Sequence, residues 1–255
     1  MIQITVTPEL RQRCPDFVGT AVVASVCNSD SSPALWQEID RFIADYRQRY
    51  TVDSLKLMPS IQATREAYRR CGKDPSRYRP SGEALVRRTL QGKDLYRVDT
   101  LVDLINLASI AFGYSIGGFD ADKIASSTVH SAPASASGDV AAGVPPSATI
   151  CQSEEPSPKS PHLFLGIGRE NEPYEGIGRG PLNIAGLPVY RDALGGIGTP
   201  TSDHERTKLT LRTTHLLAIV NGYDGNRQGT TACATYIQQL LRSYAASDGG
   251  QLIQF

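Results

Sequence analysis

The sequence lacks three features that would place the chain in a narrow class. It has no net charge, because 26 Lys and Arg residues balance 26 Asp and Glu residues, so charge alone indicates no nucleic-acid partner. No apolar run approaches the ~20 residues that cross a bilayer. The first residues, MIQITVTPEL, have no basic start followed by an apolar run, as a secretory signal would. We therefore expect a cytoplasmic protein without a membrane partner.

The sequence also lacks any cysteine motif. Its five cysteines are scattered and odd in number, at Cys14, Cys27, Cys71, Cys151 and Cys233. There is no CxxC pair and no Cys/His spacing typical of a zinc site. We expect reduced free thiols, no metal and no cofactor.

A hydrophobic content of 40% over 255 residues is enough for one sizeable core. Residues 125–160 differ in character, because 23 of these 36 residues are Ala, Ser, Pro or Gly. Such a segment buries too little apolar surface to offset its ordering entropy. We predict a single domain over residues 1–255 with a flexible insertion at about 125–160.

Hydrophobic periodicity and turn residues predict an α+β fold, with a mixed or antiparallel sheet and flanking helices. The predicted strands are residues 2–6, 17–26, 162–167, 187–190, 208–211 and 215–221, with residues 17–26 central. Five helices are predicted. Two of them begin after Ser32 and after Asp99, and the other three cover residues 60–71, 81–91 and 230–244. Residues 117–120 (GGFD) are predicted to form a turn.

Residues 174–207 form the most informative segment, because they are rich in Gly, Pro, Thr, Ser, Asp and Arg and carry no long apolar period. A connection of this length in a compact domain is usually functional or disordered. Opposite charges and hydroxyls flank its Gly-Gly turn, at Arg191, Asp192, Gly195, Gly196, Thr199, Thr201, Ser202, Asp203 and Arg206. These groups suit an amino-acid pocket, or equally a turn held by side-chain bonds to the backbone.

A second candidate region is basic. Residues 65–97 hold ten Lys and Arg residues against four acidic ones. The expected nucleic-acid contacts are Lys73, Arg77, Tyr78, Arg79, Arg87 and Arg88. Cations with an aromatic ring on one loop suit phosphate contact and base stacking. The alternative is a solvated loop whose arginines pair with nearby carboxylates.

Four motifs resemble a family of freestanding proteins similar to the fused third and fourth B domains of the bacterial phenylalanyl-tRNA synthetase β subunit. They are GKDPSRYRPSGEALVRR (residues 72–88), LVDLINLAS (101–109), GGFDADKI (117–124) and YRDALGGIGTPTSDHERT (190–207). The resemblance covers nearly the whole chain outside the insertion. It implies an α+β fold, a pocket for an aminoacyl group and contact with the tRNA 3′ end.

In the synthetase, this domain hydrolyses wrongly acylated tRNA. The chain departs from the synthetase pattern at two positions, with Gly117 where the synthetase has His and Ala218 where it has Glu. The Gly195-Gly196 pair matches a Gly-Gly turn of the synthetase pocket. We also assign Asp120 and Asn221 to the expected substrate pocket.

Three functions are compatible with these residues. In a trans-editing hydrolase, Asp203 orients the substrate amino group or a water, Arg206 holds Asp203, and Ser202 and Thr201 help to orient water. The amides of Gly195 and Gly196 would then stabilise the oxyanion. The other two functions are a non-catalytic tRNA or aminoacyl-tRNA binding module and a protein that binds a free amino acid or a related metabolite without RNA.

Overall fold

The computed structural model describes residues 2–126 and 161–255. The predicted insertion lies almost entirely outside the described residues, as does Cys151. The six helices of the described part are α1 (Pro8–Arg13), α2 (Pro33–Arg49), α3 (Pro59–Arg70), α4 (Ser81–Leu90), α5 (Thr100–Phe112) and α6 (Arg227–Tyr244). Its ten strands are β1 (Gln3–Val6), β2 (Val18–Ser25), β3 (Ser115–Asp120), β4 (His162–Ile167), β5 (Glu175–Gly176), β6 (Gly180–Pro181), β7 (Pro188–Asp192), β8 (Gly195–Gly198), β9 (His215–Gly222) and β10 (Gln251–Gln254).

Two four-stranded sheets organise the fold. The first is antiparallel, in the order β10-β2-β9-β3. The second, in the order β1-β4-β7-β8, is mixed because β1 pairs with β4 in parallel. Strands β5 and β6 form a separate two-stranded pair. The α+β prediction is therefore confirmed.

The antiparallel sheet lies between the helices and the second sheet. Along β9, Leu216, Ala218 and Val220 pack with residues of α2, α5 and α6. The alternate residues Leu217 and Ile219 pack with the second sheet and α3. Since side chains alternate across a strand, a strand covered on both faces is apolar throughout, which is why HLLAIVNG shows no alternation.

Local chemistry fixes the helix ends as predicted. The hydroxyl of Ser32 accepts a hydrogen bond from the Leu35 amide at 3.2 Å, and Pro33 begins α2. The carboxylate of Asp99 accepts from the Val102 amide at 2.9 Å and caps α5. After α3, Gly72 takes φ of +82°, the left-handed conformation that favours glycine.

Three local predictions are wrong. Residues 117–120 lie in β3, where the glycines leave space for neighbouring side chains. Residues 208–211 are not a strand, because Lys208 follows a turn of 3₁₀ helix at Glu205–Thr207. Gly195 and Gly196 lie in β8 and pair with β7, so the turn falls just before them. Helix α1 and strand β10 were not predicted, since both are short.

No helix of the described residues combines the length and the apolar character that crossing a membrane requires.

Candidate functional site

A cavity of about 460 Å³ opens between α4, α5, β3 and the segment that follows β8. We call it the Asp203 cavity. Its apolar lining comes from Leu85, Val98, Val102, Ile105, Ile116, Ile177 and Leu209. Its polar lining comes mainly from Ser81, Asn106, Thr199, Ser202, Asp203 and Lys208. Mostly apolar walls with a few convergent polar groups are typical of small-molecule sites.

Asp203 is the most unusual group of this cavity. Burial raises the pKa of its carboxyl group to about 7, although a hydrogen bond from the Gly118 amide opposes the rise. That amide donates to Oδ2 at 3.0 Å. Within residues 2–126 and 161–255, no Lys, Arg or His nitrogen lies within salt-bridge distance of the Asp203 carboxylate. A carboxyl group with a pKa near neutrality can both accept and release a proton at working pH.

Small residues make the space in which Asp203 lies. A Cβ atom at Gly117 or Gly198 would lie 2.7 or 2.4 Å from Cζ of Phe119. The same atoms would lie 3.4 and 3.0 Å from Oδ1 of Asp203. The Phe119 ring therefore occupies the space that a side chain at Gly117 would need.

The turn before Asp203 is held by side-chain bonds to the backbone. Oγ1 of Thr199 accepts from the amides of Thr201 and Ser202 at 3.2 and 3.1 Å. Oγ1 of Thr201 donates to the Tyr78 carbonyl at 2.9 Å and lies 2.9 Å from the Tyr68 hydroxyl. Thr201 is buried and does not line the cavity, so its hydroxyl stabilises the loop.

Two further contacts fix the backbone on either side of Asp203. The Tyr174 hydroxyl donates to the Ser202 carbonyl at 2.7 Å, and the Ile177 amide donates to the Asp203 carbonyl at 3.0 Å. The Ser202 hydroxyl lines the cavity and donates to the Asp203 carbonyl at 3.3 Å. Of the three predicted catalytic residues, the structure thus places Ser202 and Asp203, but not Thr201, at the cavity.

The prediction that Arg206 holds Asp203 is wrong. The Arg206 guanidinium instead makes two bonds of 2.9 Å with the carboxylate of Asp192. Burial favours the neutral form of Asp192, but the Arg206 bonds and the hydrogen bonds from the Ala125 and Leu194 amides outweigh it and lower the pKa of that carboxyl group. The Arg206–Asp192 pair fastens the end of β7 to the segment that follows Asp203.

The remaining predicted pocket residues lie away from the cavity. Arg191 forms an ion pair with Glu172, with the closest atoms 2.6 Å apart. Asp120 accepts from Thr213 and pairs with Lys123, each at 3.0 Å. Buried Asn221 accepts from the Tyr190 hydroxyl at 2.7 Å. Gly195 and Gly196 do not line the cavity either, so the structure does not bring the expected oxyanion donors to Asp203.

The basic segment separates into two parts. Arg65, Arg79 and Arg87 converge on the buried carboxylate of Glu83, with closest approaches of 2.8, 3.6 and 3.3 Å. These three arginines therefore pair with a carboxylate of the same chain, which is the alternative to nucleic-acid contact that the sequence left open. We call this group the Glu83 cluster.

The second part is partly exposed and combines cations with aromatic rings. Lys73 and Arg77 lie 4.1 and 5.6 Å from the centre of the Tyr78 ring. Arg88 lies 4.2 Å from the centre of the Tyr96 ring, which is 71% exposed. Tyr96 is two residues from Val98, which lines the cavity.

Sequence reasoning missed four polar residues of the cavity, namely Ser81, Asn106, Ser109 and Lys208. Asn106 lies on α5, and its side chain has no hydrogen-bond partner within the described residues. Lys208 pairs with Glu205 and also reaches the lining. A signal existed for Asn106, since it is one of the few polar residues in a mostly apolar helix, LVDLINLAS.

Comparison with known proteins supports the resemblance. Residues 63–144 match the family model described as the B3/4 domain, the domain found in the phenylalanyl-tRNA synthetase β subunit. The match runs from α3 through β3, the part that carries the Glu83 cluster and one wall of the cavity. It supports a role related to tRNA synthetases and associated with nucleic acid. No curated protein matches the chain.

Proposed function

We propose that the Asp203 cavity receives the aminoacyl group of a tRNA 3′ end and that the chain hydrolyses misacylated tRNA in trans. The observation that carries the proposal is a poised carboxyl group, with no cation beside it in the described part of the chain, in a mostly apolar cavity. The B3/4 match adds the nucleic-acid context. The reaction, the residues that perform it and the tRNA partner all belong to the proposal.

Each part of the cavity has a function in this scheme. The apolar walls receive an uncharged amino-acid side chain, since burying its surface favours binding. The Asn106 amide and the Ser81 hydroxyl offer hydrogen bonds to the substrate. The size of the cavity, about 460 Å³, admits an aminoacyl group but not a folded nucleic-acid helix.

Asp203 is proposed as the general base. Its carboxylate takes a proton from a water as that water attacks the ester carbonyl carbon. The C–O bond to the ribose then breaks, and the ribose oxygen takes up a proton as the amino acid leaves. The activated ester leaves little else for the protein to supply beyond position and charge stabilisation. The Gly118 amide keeps the free oxygen of Asp203 in place.

The deciding experiment is deacylation of purified tRNAs charged with a panel of correct and incorrect amino acids. The wild type is compared with Asp203→Asn and with the matched control Asp53→Asn, whose carboxylate is exposed on the far 3₁₀ turn Val52–Leu57. Removing a general base costs about 10²–10⁴ in rate. Selective cleavage lost only in Asp203→Asn supports the proposal, and equal cleavage by all three proteins contradicts it.

A second function, binding of a free amino acid or a related small molecule, is favoured by the Glu83 cluster. Three arginines of the basic segment are engaged with Glu83 and are less available to phosphates. A ligand that binds only the folded state raises its melting temperature. A thermal shift with free amino acids, in a protein that cleaves no aminoacyl-tRNA and retains no tRNA on a filter, would favour this second function.

A further inference from the structure

We propose that Cys14 and Cys71 form a redox-active dithiol that closes to a reversible disulfide. The two Sγ atoms lie 4.0 Å apart, and both side chains are buried. A disulfide needs an S–S separation near 2 Å, so a rotation of the side chains with a small backbone movement brings the two sulfurs together. This inference does not depend on the proposed function of the Asp203 cavity.

The backbone at both cysteines favours such a movement. Cys14 follows the last residue of α1, and Cys71 follows the last residue of α3. Neither is held inside a helix or a strand. Gly72 comes next after Cys71, and there is open space around it. Helix ends of this kind adjust more readily than the centres of elements.

The surroundings make Cys71 the reactive thiol of the pair. The hydrogen bond with Cys14 lowers the pKa of the Cys71 thiol against the effect of burial. The guanidinium groups of Arg13 and Arg70 lower it further, while the carboxylate of Glu9 opposes them. The same pairing raises the pKa of Cys14. Since the thiolate is the nucleophile, Cys71 reacts first and Cys14 resolves the product.

Cys71 also has a route to solvent. It lines a polar cavity of about 380 Å³, whose walls include Arg13, Arg169 and Arg191. Of these groups, Arg13 lowers the pKa of the Cys71 thiol, whereas Arg191 forms an ion pair with Glu172. A positive charge near a thiol stabilises its thiolate. By contrast, Cys233 is completely buried and burial raises the pKa of its thiol, so it serves as an internal reference for an inert cysteine.

The oxidant is a hydroperoxide. The Cys71 thiolate attacks one peroxide oxygen, the O–O bond breaks, and Cys71 becomes a sulfenic acid while the other oxygen leaves as water or an alcohol. The Cys14 sulfur then attacks Cys71, an S–S bond forms, the S–O bond breaks and water leaves. The two thiols lose two electrons and two protons in total, and the peroxide gains both. A thiol reductant restores the dithiol.

The pair is connected to the loop before Asp203. Tyr68 lies on the last turn of α3, three residues before Cys71, and its hydroxyl lies 2.9 Å from Oγ1 of Thr201. Joining α1 to α3 at Cys71 therefore constrains the helix end that supports this loop. Through the contact between Tyr68 and Thr201, a disulfide at Cys71 can therefore affect the position of the loop before Asp203.

The test uses the full chain with Cys27→Ser and Cys151→Ser, so that neither the exposed thiol of the described residues nor the thiol outside them can cross-link two molecules. The reduced protein is treated with hydrogen peroxide near equimolar amounts, and the free thiols are blocked before peptide mapping. We expect a linked peptide pair containing Cys14 and Cys71, a mass loss of two hydrogen atoms, and full reversal by dithiothreitol. Cys233 should remain reduced.

Two variants separate the roles of the two thiols. In Cys14→Ser, the Cys71 sulfenic acid should persist long enough for dimedone to trap it. In Cys71→Ser, Cys14 should stay reduced under the same treatment. The proposal is overturned if Cys71 of the otherwise unchanged chain reacts no faster than Cys233, or if both react and no linked peptide forms. That comparison needs neither variant, so a variant that does not fold leaves the proposal testable.

Discussion

Two carboxylates, those of Glu83 and Asp203, show how differently one fold treats charge. Glu83, on α4, is almost fully buried and is surrounded by three guanidinium groups. Asp203, across the cavity, has one backbone amide as its hydrogen-bond donor and no cation within salt-bridge distance among the described residues. A paired charge stabilises packing, whereas a buried charge without a counter-ion is costly and readily takes up a proton. The first arrangement suits structure, and the second suits chemistry.

The largest effect on stability is expected from breaking the paired side of this comparison. In Glu83→Gln, three guanidinium groups lose the carboxylate that they share. The Nε atom of Arg87 is already buried without a hydrogen-bond partner among the described residues, and the substitution does not provide one. Leaving buried charge uncompensated costs about 3–5 kcal/mol. Urea unfolding should show this loss.

The matched control for that prediction is Glu66→Gln. Glu66 pairs with Arg69 and Arg70 on the surface of α3, with its side chain 47% exposed. Exposed pairs contribute under about 1 kcal/mol. Equal losses in the two variants would show that the burial of Glu83 does not matter.

The next prediction concerns the pH dependence of stability on the unpaired side. The pKa of Asp203 in the folded state is about 7, well above its ordinary value. Between about pH 4 and pH 7 the folded state holds a proton that the unfolded state has lost, so stability falls as pH rises through this window. Asp203→Asn removes this dependence and should be more stable than wild type by on the order of 2 kcal/mol at pH 8.

The measurement is urea unfolding at several pH values for the wild type, Asp203→Asn and Asp53→Asn. The wild type and Asp53→Asn should show the same slope across the window. A wild-type curve parallel to that of Asp203→Asn would mean that Asp203 titrates in its ordinary range.

A smaller effect is expected from filling the space next to Asp203. In Gly198→Ala, the new methyl group would overlap the Phe119 ring and press on Oδ1 of Asp203. Overpacking of this kind costs about 1–3 kcal/mol. In the control Gly166→Ala, the nearest atoms lie 3.2–3.3 Å away on the side chains of Thr7 and Arg191.

Thermal unfolding of both alanine variants gives the comparison. We expect a lower melting temperature in Gly198→Ala but not in Gly166→Ala, together with slower deacylation of misacylated tRNA by Gly198→Ala. A greater loss in Gly166→Ala would show that the glycines around Asp203 leave more room than their distances indicate.

The smallest effect is expected on the basic surface, because its charges are exposed and screened by salt. Lys73→Ala combined with Arg77→Ala removes the cations beside Tyr78 and should weaken tRNA binding by about tenfold at low salt and less at high salt. Arg65→Ala is the contrasting variant, since its guanidinium is engaged with Glu83. Filter binding over a salt series measures both, and an unchanged affinity in the double variant would exclude this surface from the RNA contact.

Much of the fold could be predicted from local patterns. Ser32, Asp99 and Gly72 mark helix ends by short-range chemistry, and β-branched runs mark the interior strands β2 and β9. Two of the three local errors come from glycine. In GGFD and in Gly195-Gly196 it indicates a turn to any local rule, yet in both places it lies in a strand. At Gly117, Gly118 and Gly196 a neighbouring side chain occupies the space that a Cβ would need, whereas Gly195 has a positive φ of 127°.

The candidate site could be predicted only in part. The hydroxyl-rich segment around Asp203 is visible in the sequence, and the structure places Ser202 and Asp203 at the cavity. Which charges pair is a different matter. Arg206 is three residues from Asp203, but its guanidinium reaches Asp192. Short spacing along the chain therefore gave the wrong partner, because tertiary distance and burial decide an ion pair.

The sequence by itself determined the α+β class, most helix ends, the resemblance to the B3/4 domain and the segment in which Asp203 lies. These depend on neighbours in the chain or on a short pattern of residue types. Only the tertiary structure decided which carboxylate is paired and which is not, and which two of the scattered cysteines lie 4.0 Å apart. Thiol proximity and charge compensation arise between separate elements, here α1 with α3 for the thiols, and α3 with α4 and β7 with the segment after β8 for the charges.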